Sequence, residues 1–116
     1  MVEKRSHPRF ATDLEAEYAT SDLVASVQAT THTFNISKGG VAISVNRSVS
    51  PGKAIRLRIK LLYGSEVINA WGRVAWVKPT ERNAGQEADA GIKFLKMDEE
   101  SERVLEEYIY VLSHSS

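Results

Sequence analysis

From Leu14 onward the chain alternates with a period of two. Leu14-Glu15-Ala16-Glu17-Tyr18 places apolar and charged residues in turn, as a strand with one buried face does. Leu23 to Phe34, rich in threonine and valine, predicts a second strand. Gly39-Gly40 interrupts it, and Val41-Ala42-Ile43-Ser44-Val45 predicts a third. In Ser50-Pro51-Gly52 the proline presets one dihedral and the glycine relieves the next, which predicts a turn. The fourth strand carries the clearest pattern, with Ile55, Leu57, Ile59 and Leu61 on one face and Arg56, Arg58 and Lys60 on the other. Tyr63-Gly64-Ser65-Glu66 then turns the chain into Val67 to Val77, which holds Trp71 and Trp76. On a regular strand these two indoles point to opposite faces, and Val74 shares the parity of Trp76. Pro79 to Gln86 reads as a mobile polar loop, and Ala90 to Leu95 as a last strand.

The pattern then changes to a helical one. Asp98 is placed to cap the helix, and acids crowd the first turn where the helix dipole favours them. Val104, Leu105, Tyr108, Ile109 and Leu112 form an apolar stripe at helical spacing. The stripe is expected to pack on the core, closing one open end of a barrel, with the acidic face in solvent. About six short strands with glycine-bearing turns, followed by one helix, predict a mainly β fold, a small antiparallel barrel.

Composition narrows the classes of function. The 116 residues suit one domain with a single core, and 42% hydrophobic with 26% charged residues is the balance of a globular chain. There is no apolar run long enough to span a membrane, and Met1-Val2-Glu3-Lys4-Arg5 lacks the apolar stretch of a secretory signal. With no cysteine, disulfides and thiolate chemistry are excluded, and a cytoplasmic location is expected. Fifteen Lys and Arg balance fifteen Asp and Glu, so long-range attraction for polyanions is weak. The charges are nevertheless segregated. Residues 47–60 hold Arg47, Lys53, Arg56, Arg58 and Lys60 with no acid, whereas 98–107 hold six acids against Arg103 alone.

Two short motifs carry candidate chemistry. Arg5-Ser6-His7-Pro8-Arg9 reads R-x-x-x-R, and Asn35-Ile36-Ser37-Lys38-Gly39-Gly40 reads N-x-S-x-x-G. An arginine fork fits a phosphate, or the O6 and N7 acceptors of guanine. A small polar turn ending in glycine offers backbone N–H groups and lets a ligand approach closely. Asn35 and Ser37 also suit a plain turn.

In this order the two motifs resemble those of the PilZ family of bacterial cyclic di-GMP receptors, and the likeness covers nearly the whole chain. Gly72-Arg73-Val74-Ala75-Trp76-Val77 resembles that family's fifth-strand pattern, and Ala90-Gly91-Ile92-Lys93-Phe94 before an amphipathic helix resembles its C-terminal end. The resemblance implies a six-stranded antiparallel β-barrel with a C-terminal α-helix. It divides the chain into a flexible arm at 1–12 bearing R-x-x-x-R, a barrel with its helix at 13–113, and a tail at 114–116. It implies cyclic di-GMP as ligand, held by Arg5, Arg9, Asn35, Ser37 and Gly40. Lys4, Arg73 and Gly91 are secondary candidates, Lys4 because the residue before the motif bears on whether one or two ligand molecules bind. His7 reads as a spacer. The implied mechanism is ordering of the arm over the ligand, which alters a protein partner, since a receptor of this size has no output domain of its own.

Other functions find less support. His7, His32 and His114 are scattered, and no metal-ligand spacing, nucleophile elbow or phosphate loop is present, so neither an enzyme nor a metal site is expected. The basic face of the fourth strand carries no aromatic and the net charge is zero, so nucleic-acid binding is not expected. The alternative is a PilZ-like interaction adaptor that does without the nucleotide, although such adaptors lack the arginine motif. A monomer or weak dimer is expected, because stray strand edges permit self-association.

Overall fold

A computed structural model describes residues 7–21, 26–61 and 66–114. Lys4, Arg5, the turn assigned to 63–65 and the end of the tail lie outside the described residues. The strands are β1 (Phe10–Ala11), β2 (Glu15–Ser21), β3 (Ser26–Ile36), β4 (Gly40–Asn46), β5 (Ala54–Lys60), β6 (Val67–Pro79) and β7 (Glu87–Met97). A four-residue left-handed turn, α1 (Arg82–Gly85), joins β6 to β7, and the α-helix α2 (Glu99–Ser113) closes the chain.

All pairings are antiparallel. The order β3-β2-β5-β6-β7-β4 closes through β3–β4 contacts into a six-stranded barrel, and β1 adds a short strip to β3. Closure removes the sheet edges that an open sheet would expose. The period-two reading of β5 is the clearest success of the pattern: Ile55, Leu57 and Ile59 are buried while Arg56, Arg58 and Lys60 are outside. Each such burial stabilises the barrel by roughly 1.5–3 kcal/mol. Gly52, at a positive φ of 88°, completes the turn before β5 and donates its N–H to Val74 O at 2.7 Å.

Tyr18 is buried in the same core, and its hydroxyl accepts the Asn46 N–H at 2.8 Å. Burial pushes its phenol above the ordinary tyrosine range, so the group stays a neutral core residue. The helix α2 is capped as expected, since the Asp98 carboxylate accepts the Ser101 N–H at 2.7 Å. Its buried residues Val104, Leu105 and Ile109 join the barrel core along β6. Ser101, also buried, accepts the Asn69 N–H at 2.9 Å and fixes the helix against that strand.

Two expectations need correction. Pro79 to Gln86 is not a featureless polar loop: β6 runs on to Pro79, and the Thr80 hydroxyl donates to Glu87 O at 2.8 Å. Arg82 pairs with Asp89 and lies over the Phe34 ring, 5.4 Å from its centroid, which ties the turn to the barrel wall. The parity of β6 also fails after Val74. Val74 faces Ile92 and Trp76 faces Gly91, so two steps on β6 match one on β7. The extra residue rotates the strand by half a period. Val74 is therefore 1% exposed and Trp76 38%, and Trp71 and Trp76 both lie outside the barrel.

Candidate functional site

The start of the described chain is sewn to β3. Phe10 and Ala11 pair with Ile36 and Asn35, and Thr12 N–H donates to Phe34 O at 3.0 Å. Below them, buried Thr33 accepts the Leu14 N–H at 2.9 Å and shares a 2.8 Å hydrogen bond with the Thr12 hydroxyl. The barrel's hold thus begins at Phe10, within the 1–12 segment, and leaves the exposed Arg9 lining the groove beside the β3–β4 turn. His7 and Arg9, the described end of the first motif, meet the second motif there.

The turn itself is built by Ser37. Its side-chain oxygen accepts the N–H groups of Gly39 at 3.1 Å and Gly40 at 3.2 Å, and its own N–H donates to Gly40 O at 2.9 Å. At 7% exposure the hydroxyl spends its acceptor capacity on the backbone. Gly40 is required by close packing, because a Cβ there would stand 2.2 Å from Ile92 O. Gly39 lies against the edge of the His7 ring, with a would-be Cβ 3.2 Å from His7 Cδ2, and it accepts the Phe94 N–H at 2.9 Å.

These residues form one wall of a groove of about 400 Å³. The other wall comes from β6 and β7, through Ala75, Trp76, Gly91 and Lys93. Trp76 lies across Gly91, where a Cβ would fall 2.2 Å from the indole Nε1. Asn35 is half-buried, and its amide makes no hydrogen bond among the described residues. Arg9, His7 and Lys93 line the groove, and among the described residues no Asp or Glu does. The arrangement offers a cationic rim, an aromatic plane, a free amide and a glycine turn, which suits a flat anionic ligand.

Of the residues singled out in the sequence, Arg9, Asn35, Ser37, Gly40 and Gly91 come together here. Arg73 does not line the groove; it is exposed and pairs across the ladder with Lys93, which does. Trp76 and Lys93 are additions. Lys93 was visible in the Gly91-Ile92-Lys93 run as the outward residue of a strand, whereas Trp76 was hidden by the bulge.

Elsewhere, no cluster of three or more His, Asp or Glu side chains suited to a metal occurs among the described residues. Nor is any helix among them long and apolar enough to cross a membrane.

Similarity to known proteins agrees with the fold. The fold is shared with the Bacillus subtilis inhibitor of motility MotI (DgrA), at a TM-score of 0.74 and 17% identity over 99% of this chain and 55% of that one. The PilZ domain of YcgR from Escherichia coli, solved with c-di-GMP, superposes with a TM-score of 0.69 and 12% identity, covering 96% of this chain and 92% of that one. The K. pneumonia MrkH–c-di-GMP complex gives 0.70 and 16% over 97% of this chain and 53% of that one. The chain thus spans about half the length of MotI and MrkH. No curated protein sequence matches it. The PilZ domain profile matches residues 3–111, and the chain belongs to the PilZ domain family.

Proposed function

We propose that the groove binds cyclic di-GMP and that the chain acts as a receptor for it, not as an enzyme. The observation that carries this reading is the convergence of Arg9, Asn35, the Ser37–Gly40 turn and Trp76 on one groove free of acids among the described residues. Cyclic di-GMP presents two guanines and two phosphates on a compact ring. Arg9 forks onto a phosphate or onto guanine O6 and N7, and Arg5 joins it from the preceding segment. The free amide of Asn35 reads a guanine edge, since it both donates and accepts. Trp76 supplies a plane for a purine face, and Lys93 a point charge for phosphate. Ser37 acts through the turn: it holds the Gly39 and Gly40 backbone in the shape against which the ligand lies.

Binding draws Arg5 and Arg9 onto the ligand and so orders the N-terminal segment, and the ordered segment presents a new surface to a protein partner. Calorimetric titration with cyclic di-GMP, GTP and cyclic di-AMP tests the reading. Heat and saturation with cyclic di-GMP alone are expected, and the same titration gives the stoichiometry. No heat with cyclic di-GMP, or equal heat with GTP, overturns it. Backbone amide order parameters over residues 1–10 are expected to rise on binding.

A further inference from the structure

A second groove, of about 720 Å³, lies on the outer face of β2, β5, β6 and the end of β7. It shares no residue with the first groove. Register alone assembles its central row, because Arg56 pairs with Trp71 and Trp71 with Lys96. The Arg56 guanidinium sits 5.3 Å from the centre of the Trp71 ring, and Trp71 remains 49% exposed. The exposed amides of Gln28 and Asn69 flank this row, and Arg58 continues the cationic line along β5. The basic face of β5 lacks an aromatic of its own, and β6 supplies it. Two carboxylates also border the groove. Asp98 is occupied in capping α2, and Glu17 faces Arg58 across the β2–β5 ladder. Arg56, Arg58 and Lys96 thus outnumber the two carboxylates along this face, although the net charge of the chain is zero.

From this row we infer that the face binds single-stranded nucleic acid without strong sequence preference. An exposed indole flanked by cations on a small barrel meets the two needs of such binding. Bases stack on any aromatic plane, and phosphates are neutralised one by one by Arg56, Arg58 and Lys96. With three cations engaged, the affinity should fall with salt with a logarithmic slope of about −2. A carboxylate-rich protein segment satisfies the cations but leaves the indole without a stacking partner.

The test is fluorescence anisotropy of a labelled oligothymidylate of about 15 nucleotides with the full chain, from about 20 to about 200 mM salt. Saturable binding with that salt slope is expected. Trp71→Ala should weaken it at least about fivefold, and Lys96→Gln should flatten the salt slope. Both positions are exposed, and an unchanged amide spectrum will show that the variants fold. Saturating cyclic di-GMP should leave the oligonucleotide bound. The inference is overturned by no binding at low salt, by undiminished binding in Trp71→Ala, by displacement with cyclic di-GMP, or by equally effective displacement with polyglutamate.

Discussion

The indole of Trp76 occupies the space that a side chain at position 91 would fill, with Nε1, Cε2 and Cδ1 all within 3 Å of an ideal Cβ on Gly91. The bulge after Val74 turns this tryptophan outward, and the glycine lets it settle against β7 instead of standing away from the wall. An aromatic plane is thereby held beside Arg9 and Asn35 without any loop to position it.

Removing that plane should cost binding. Base stacking on an aromatic is worth about 1–3 kcal/mol, so Trp76→Ala should weaken cyclic di-GMP roughly 5-fold to 150-fold. Gly91→Ala should act in the same direction by displacing the ring. In a Trp71→Phe background the Trp76 emission should respond to the ligand, and Gly91→Ala should reduce the response. Calorimetric affinities unchanged in both variants would take Trp76 out of the site.

Much of this architecture was legible in the sequence because it rests on local rules. The β5 alternation, the Asp98 cap and the apolar stripe of α2 each follow from nearest neighbours, and each appears as expected. That Asn35, Ser37 and Gly40 of the β3–β4 turn line one groove was legible too, since they sit within one short segment. The opposite wall was not. Trp76 faces the groove only because β6 has one residue more than β7 between matched pairs, which is a property of two strands together. The Arg56–Trp71 contact likewise arises from strand register and leaves no mark in either strand alone. The turn at Arg82–Gly85 read as loose because its anchors, Asp89 and Phe34, come from other strands.

Arg9 should matter through its fork more than through its charge. A bidentate guanidinium contact contributes about 1–3 kcal/mol, so Arg9→Ala should raise Kd roughly 5-fold to 150-fold. Arg9→Lys should be nearly as damaging, because an ammonium cannot reproduce two parallel donors. The side chain is exposed, so the thermal midpoint of the free protein should not move. Wild-type affinity in Arg9→Lys would show that charge alone suffices.

Ser37 and Gly40 should reveal themselves without ligand. Ser37→Ala leaves two backbone N–H groups without their acceptor and should lower stability by about 1–3 kcal/mol. Gly40→Ala drives a Cβ into the Ile92 carbonyl, a backbone atom that cannot swing aside, and should cost about 1–3 kcal/mol or more. Chemical denaturation of the free variants gives both values. If Ser37→Ala keeps full stability yet loses cyclic di-GMP, the hydroxyl serves the ligand directly rather than the turn.

The β6–β7 turn contains a residue in a conformation its side chain resists. Asn83 and Ala84 have φ of 51° and 56°, followed by Gly85 at 80°, a short left-handed run. Asn tolerates that region and glycine is indifferent to it, but an alanine there costs about 1–2 kcal/mol. The run is held by Arg82 on Asp89 and by Arg47, whose guanidinium donates to Gly85 O at 3.2 Å. Replacing Ala84 by Gly removes the steric cost while adding about 0.5–1 kcal/mol of lost chain entropy. Ala84→Gly should therefore raise stability by about 0.5–1 kcal/mol, the reverse of the usual surface Ala→Gly effect. Ala84→Val should lower it, since a branched side chain fits a positive φ worse still. The denaturation midpoints of the two variants decide the point. A midpoint that falls in Ala84→Gly would place residue 84 at a negative φ and dissolve the left-handed run.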